Sequence, residues 1–166
     1  IPTLYENGVT TAANACGTQD GAAFVVLWAG SYAKKKRWKP WLRFVEMVEV
    51  AGNPEMPPLL VNKALDKLFE KTGRKPEEIA AYECNEAFAV IDELFAKKYP
   101  ACVPAYNACG GALAYGHPYG ATGGILTLHL AKRLQQCAED NVYGVSAIAA
   151  AGGQGTAILW KKVCEK

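Results

Sequence analysis

The residues best suited to do chemistry lie in a glycine-rich stretch, residues 107–124, in which Pro118 follows His117. A histidine held on such a loop beside a helix N-terminus faces partial positive charge. That field favours the neutral imidazole and stabilises a nearby anion. A lone histidine is more often structural, but the surrounding glycines favour a general base or a ligand-binding group here.

Two further segments are informative only in combination with the first. Residues 85–88 read Asn-Glu-Ala-Phe and directly follow a predicted strand that ends at Cys84. Taken alone, Asn85 is equally well explained as a helix cap. Residues 149–155 separate two apolar runs near the end of the chain, and taken alone they predict only a tight turn.

Apolar periodicity predicts the elements that would position these segments. Periods near 2 and near 3.6 alternate along the chain, which indicates strands interleaved with helices. The predicted strands are residues 22–28, 41–50, 79–84, 144–151 and 155–160, and the predicted helices are residues 31–38, 61–72, 86–95 and 122–138. This order predicts a three-layer α/β domain, with a mixed five-stranded sheet and helices on both faces.

Composition limits the class of protein. A chain of 166 residues with 51% hydrophobic and 20% charged residues predicts one compact domain over residues 1–166. A net charge of +2 argues against a nucleic-acid partner, and the basic run at residues 34–37 is better explained as a solvated helix face than as an anion site. Neither a membrane span nor a secretion signal is recognisable, so we expect a cytosolic protein.

The six cysteines are expected to be reduced thiols. None of them forms a Cys-x-x-Cys pair, and the chain is large and apolar enough to fold without disulfides. With only two histidines beside them, the sequence predicts no metal site.

In their order and spacing, these segments resemble the thiolase family, in particular the C-terminal domain of acetyl-CoA acetyltransferases and 3-ketoacyl-CoA thiolases. The resemblance covers nearly the whole chain. It rests on the opening at residues 14–23, on Asn-Glu-Ala-Phe at residues 85–88, on Gly-His-Pro at residues 116–118 and on the glycine turn near residue 152.

The resemblance implies acyl exchange between acyl-CoA and CoA, with coenzyme A as substrate and no covalently bound cofactor. It implies that His117 activates a nucleophilic cysteine, and that His117 and a water held by Asn85 stabilise an enolate oxygen. It places the substrate or CoA contacts at Ala15, Cys16, Ala87 and Phe88, and an oxyanion-hole N–H at Ala151.

Two departures from the family pattern matter. The half that carries the nucleophilic cysteine is absent from these 166 residues, so we expect a partner polypeptide that supplies it, in a hetero-oligomer or higher oligomer. Ala149 occupies the position of the cysteine that moves the proton at the substrate's alpha carbon, and a methyl group cannot transfer a proton. Cys16, Cys84 or Cys109 could supply a replacement thiol, although small buried filler is the plainer interpretation.

Three functions remain open from the sequence. The first is the C-terminal part of a thiolase-type acyltransferase, an enzyme only together with its N-terminal half. The second, motivated by Ala149, is a non-catalytic subunit that binds acyl-CoA or stabilises a partner. The third is a decarboxylating condensing enzyme of the ketoacyl-synthase type, which would keep a second histidine where Asn85 stands.

Overall fold

The structure is a computed structural model that describes residues 1–4 and 6–163. It contains a mixed sheet with helices on both faces, as predicted. The α-helices are α1 (Gly30–Lys36), α2 (Leu59–Thr72), α3 (Ala89–Lys98), α4 (Ala112–Tyr115) and α5 (Thr122–Gln136), and the strands are β1 (Leu42–Ala51), β2 (Ile79–Cys84), β3 (Tyr143–Ala150) and β4 (Gln154–Lys162). Short 3₁₀ turns lie at Pro76–Glu78 and Pro100–Ala105.

The sheet has four strands in the order β1-β4-β3-β2. Strands β2 and β3 are parallel, whereas β4 runs antiparallel to both β3 and β1. The carboxyl ends of β2 and β3 therefore lie side by side, with Cys84 opposite Ala147. This arrangement places the segments that follow and flank these ends, residues 85–88 and 148–151, at one edge of the sheet.

The two faces of the sheet have separate cores. Helix α2 packs Leu65 and Leu68 against one face, and α5 packs Leu130 and Leu134 against the other, where Trp160 meets them. The apolar stripe of α2 was recognisable from its spacing, and Gly73 ends that helix in the left-handed conformation at φ 66°. The predicted three layers are confirmed.

The prediction of a fifth strand at residues 22–28 is wrong. This segment has no regular secondary structure and forms no backbone hydrogen bond with any other described part of the chain. Its side chains are largely exposed, Phe24 at 95% and Leu27 at 76%. An apolar run forms a strand only where a neighbouring strand pairs with it, and the described residues provide none. Helix α1 begins at Gly30, one residue before the predicted start, and its N-cap is Ala29.

Helix α5 is held to the sheet by a buried ion pair. The Arg133 guanidinium donates to the Glu83 carboxylate over 2.7 Å and to the backbone oxygens of Tyr82 and Ala105. Burial raises the pKa of Glu83, and the hydrogen bond from Arg133 opposes this rise. These contacts fix α5 relative to β2, so the first residue of α5, Thr122, has a defined position beside residues 85–88.

Candidate active site

The structure brings the three sequence segments together around one cavity of about 560 Å³. It is lined mainly by apolar atoms. The predicted site residues on its wall are Cys16, Ala87, Phe88, His117, Ala149 and Ala151, and Tyr119 also lines it. We call this space the His117 cavity.

His117 is held in place at both ring nitrogens and at its backbone. Its N–H donates to the Gly17 carbonyl over 2.8 Å, its Nδ1 lies 2.6 Å from Thr122 Oγ1, and its Nε2 lies 3.2 Å from Asn85 Nδ2. The Tyr119 ring contacts the imidazole edge-on at 4.6 Å between centroids. Burial lowers the pKa of His117, so the ring is neutral at pH 7 and able to accept a proton.

Asn85 lies beside His117 but does not line the cavity. It is 1% exposed, and its backbone N–H donates to the Ala147 carbonyl on β3. Its side-chain Oδ1 is buried and has no hydrogen-bond partner among the described residues. Asn85 does not cap α3, which begins at Ala89 after Phe88, so the alternative interpretation as a helix cap is wrong.

Glu86 and Asn107 fix the relative position of the two motif segments. Asn107 Oδ1 accepts the Cys84 N–H, and its Nδ2 donates to the Cys84 carbonyl and to Glu86 Oε1, over 2.7 to 2.9 Å. Glu86 Oε2 accepts the Leu113 N–H, and its carboxylate occupies the space that a Cβ at Gly111 would need. Asn107 has a φ of 38°, which asparagine tolerates better than most residues. We call Glu86 and Asn107 the loop clamp.

The opening segment is joined to both motifs. Ala15 forms an isolated β-bridge with Phe88, and the Cys16 N–H donates to the Ala87 carbonyl over 3.0 Å. Ala15 itself does not line the cavity, whereas Cys16 does. Gly116, at φ 91°, leaves room for the Gln19 side chain, which any Cβ there would strike.

The three cysteines considered as a replacement thiol lie in different places. Cys84 is fully buried, and burial raises its pKa well above the usual value; Cys109 is exposed and does not line the cavity. Cys16 alone of the three lines the cavity, and burial raises its pKa. The five cysteines of the described residues are free thiols, and Cys164 lies outside the described residues.

The described residues contain neither a metal-binding cluster nor a membrane-spanning helix. No group of three His, Cys, Asp or Glu side chains in residues 1–4 and 6–163 is placed to hold a metal ion. No helix in this part of the chain has both the length and the apolar character needed to cross a membrane.

Comparison with known proteins identifies the family. Residues 38–162 match the model of the thiolase C-terminal domain. The chain belongs to the thiolase family. It is 37% identical over 158 residues to the mitochondrial acetyl-CoA acetyltransferase of Rattus norvegicus, a match that spans 95% of this chain and 36% of the relative.

Solved thiolase structures share the fold. The crystal structure of the Bacillus anthracis acetyl-CoA acetyltransferase superimposes with a TM-score of 0.90 at 29% identity, covering 98% of this chain and 41% of that one. A thiolase from Ascaris suum, crystallised in complex with coenzyme A, gives a TM-score of 0.85 at 31% identity, covering 98% and 42%. The chain thus spans about two fifths of the length of these thiolases.

Three residues that shape the site were not identified from the sequence. Glu86, Asn107 and Thr122 all lie within or beside the quoted motifs, but each is of a type that also occurs as a cap or a surface residue. Their position in the sequence could have identified them. They are polar residues within alanine- and glycine-rich segments that lie buried at the end of the sheet, and buried polar side chains need hydrogen-bond partners.

Proposed function

We propose that this chain is the C-terminal part of a thiolase-type acyl-CoA acyltransferase, which cleaves or forms a 3-ketoacyl-CoA together with a partner half that carries the nucleophilic cysteine. The observation that carries the proposal is the pair His117 and Asn85. Their Nε2 and Nδ2 atoms lie 3.2 Å apart, where His117 meets the cavity.

The chemistry of this pair suits thioester exchange. A thiol with a pKa of about 8.5 needs a neighbouring base to form a thiolate at neutral pH, and a neutral His117 is such a base. Once His117 Nε2 has taken the thiol proton, it and Asn85 Nδ2 can both donate to a single oxygen, as a developing enolate requires. His117 and Asn85 are therefore the proposed catalytic residues.

Coenzyme A is the proposed substrate, with no covalently bound cofactor. The Ascaris suum relative was crystallised with coenzyme A. In this chain, the thioester end of such a substrate would contact Cys16, Ala87 and Phe88 on the cavity wall, with Ala15 behind them. Ala151 also lines the cavity, in the turn between β3 and β4, and its N–H is the proposed oxyanion-hole donor.

The partner half is proposed to cover an apolar surface. Residues 24–28 form one side of a groove of about 330 Å³, and Trp41, Leu128 and Trp160 form the other. Contiguous exposed apolar surface of this kind is typical of protein interfaces. We propose that residues 1–166 form one domain, because residues 14–18 are hydrogen-bonded to both motif segments.

A non-catalytic subunit is the second candidate, and Ala149 favours it. Residues 149–151 place only methyl side chains on their wall of the cavity, so this wall offers no group to carry a proton. Such a subunit would bind acyl-CoA or stabilise its partner without turnover. The third candidate, a decarboxylating synthase, lacks support because Asn85 stands where that class keeps a histidine.

One assay separates the three candidates. The chain is combined with the N-terminal thiolase half, and the complex is supplied with either a 3-ketoacyl-CoA plus CoA or a malonyl thioester. CoA-dependent cleavage is the expected result. CoA binding without turnover would replace the proposal with the non-catalytic subunit, and decarboxylation of the malonyl thioester would replace it with the synthase.

The interface is tested separately by size-exclusion chromatography. We expect the chain to elute with the N-terminal half, and the double variant Phe24→Asp with Leu27→Asp to weaken this association. Glu55→Lys, which changes charge at an exposed loop residue away from the groove, is the matched control. A stable 17.8 kDa monomer that does not bind the N-terminal half would contradict the proposed pairing.

A further inference from the structure

The ring of His117 lies in a chain of hydrogen bonds that leads into the protein. Thr122 Oγ1 lies 2.6 Å from His117 Nδ1 and 3.1 Å from the Pro118 carbonyl oxygen. Thr122 is the first residue of α5 and only 3% exposed, so water does not replace these contacts. On the other side of the ring, Asn85 Nδ2 faces Nε2.

Counting hydrogens gives each atom a role. An amide nitrogen only donates, so Nε2 of His117 accepts from Asn85, and the proton of the neutral ring is on Nδ1. The Nδ1–H then donates to Thr122 Oγ1, whose single hydrogen goes to the Pro118 carbonyl. Reversing the Asn85 amide would leave its NH₂ group, rather than one carbonyl oxygen, buried without a partner, which costs more.

The side chain of Thr122 is well suited to this role. Its β-branched side chain has few rotamers in a helix, and the bond to the Pro118 carbonyl is the i−4 contact that selects one of them. Arg133 and Glu83 hold the same helix to β2 over 2.7 Å. The acceptor atom for Nδ1 is therefore fixed by both the rotamer and the helix position.

We propose that Thr122 is a positioning residue that holds His117 in the Nδ1–H tautomer. The Nε2 lone pair, which accepts from Asn85 in this structure, can then take a proton at the cavity instead. The tautomer follows from this chain alone; its use as a base rests on the proposed function. A serine at this position keeps the hydroxyl, whereas a valine keeps the shape and removes the acceptor.

The test is the tautomer of His117, read from long-range ¹H–¹⁵N correlation spectra of the full chain at a pH where the ring is neutral. The variant His129→Gln assigns the signals, because the chain has two histidines. We expect a protonated Nδ1 and an unprotonated Nε2 in the wild type and in Thr122→Ser. In Thr122→Val, the ratio of the Nδ1–H to the Nε2–H form should fall about tenfold, the effect of one hydrogen bond of about 1.4 kcal/mol.

Two results would overturn the proposal. One is the finding that the neutral His117 ring of the wild type is protonated at Nε2. This measurement does not depend on whether any variant folds. The other is a folded Thr122→Val chain, judged by its amide spectrum, that keeps the wild-type ratio.

Activity separates this inference from the proposed function. In the complex with the N-terminal half, Thr122→Val should lower kcat with little change in KM, and Thr122→Ser should restore it. A fixed Nδ1–H tautomer in a complex without thiolase activity would refute the proposed function and leave the positioning role standing.

Discussion

The two walls of the His117 cavity differ in chemistry. On one wall, His117 is bonded at both ring nitrogens, and the loop clamp of Glu86 and Asn107 fixes the segments on either side. On the other wall, residues 149–151 present three methyl groups and no titratable side chain. Under the proposed function, the His117 wall accepts a proton and stabilises an anion, whereas residues 149–151 provide no carrier for the proton of the carbon–carbon bond step.

Replacing His117 should have the largest effect. His117→Ala removes the proposed base, and acylation of the partner's cysteine should slow by about 10²- to 10⁴-fold. The fold should survive, because Gly116, Pro118 and the backbone bond to Gly17 shape the loop. Single-turnover kinetics of the complex measure this, with His129→Gln as the histidine control. Acylation at the wild-type rate would show that His117 is not the base.

Replacing Asn85 should affect a different step. Asn85→Ala should leave acylation within a few-fold of wild type and slow the carbon–carbon step by about 10²-fold, because its assigned role is on the enolate oxygen. Comparing the acylation burst with steady-state thiolysis separates the two steps. Equal slowing of both would mean that Asn85 acts by orienting His117 through the contact at 3.2 Å instead.

Removing the loop clamp should cost stability as well as activity. Asn107→Ala removes the side-chain bonds to the Cys84 N–H, the Cys84 carbonyl and Glu86 Oε1, and we expect a loss of about 3 kcal/mol in the free energy of unfolding. Urea denaturation measures this. Asn141→Ala is the matched control, because Asn141 also has a positive φ, 65°, but is exposed. Equal losses in the two variants would show that backbone strain, not the hydrogen bonds, sets the cost.

Asp92, a half-buried carboxyl on α3, also predicts a pH dependence of stability. Burial, with the charges of Glu86 and Glu93, raises the pKa of Asp92 to about 6 while the Tyr106 hydroxyl donates to it over 2.6 Å. The folded chain therefore binds this proton more tightly than the unfolded chain, and stability falls as the pH rises from about 4 to about 6.

Asp92→Asn should abolish that part of the pH dependence. The variant keeps an acceptor for Tyr106 and should be more stable than wild type by about 1 to 2 kcal/mol above pH ~6, with no such gain below pH ~4. Thermal unfolding across this pH range measures the difference. A gain in stability of the same size at every pH would show that the gain does not come from protonation of Asp92.

Restoring a thiol at position 149 should have the smallest effect. Ala149→Cys should raise the rate of the carbon–carbon step by less than about tenfold, because the new thiol lacks neighbours selected to tune its pKa. Ala101→Cys is the control, because it adds a thiol at an exposed residue that does not line the cavity. An unchanged rate in Ala149→Cys would indicate that another group, such as Cys16 on the same cavity, already carries the proton.

Local signals explain which parts of the fold were predictable from the sequence. Helix α2 and strand β2 were recognised because an apolar stripe, a terminal Gly73 and a short apolar run are properties of neighbouring residues. Segment 22–28 carries the same apolar signal as β2, yet it pairs with nothing in the described chain. Strand pairing is a contact with a distant segment, so periodicity alone could not establish it.

The same distinction applies to the candidate site. His117 and Asn85 stood out by residue type within short motifs, and the structure places them side by side. The partners that hold them did not stand out: Glu86 and Asn107 are 21 residues apart, and His117 meets Asn85 across 32 residues. Side-chain hydrogen bonds between distant polar residues follow from the packed fold and leave no periodic trace in the sequence.

The central claim, that two halves form one acyl-transfer site, is tested most directly by the intact mass of the N-terminal half after exposure to an acyl-CoA. We predict an acyl adduct on that half only when this chain is present, and its loss when this chain carries His117→Ala. Acylation of the N-terminal half alone at the same rate, or no acylation in a stable complex of the two halves, would contradict the claim.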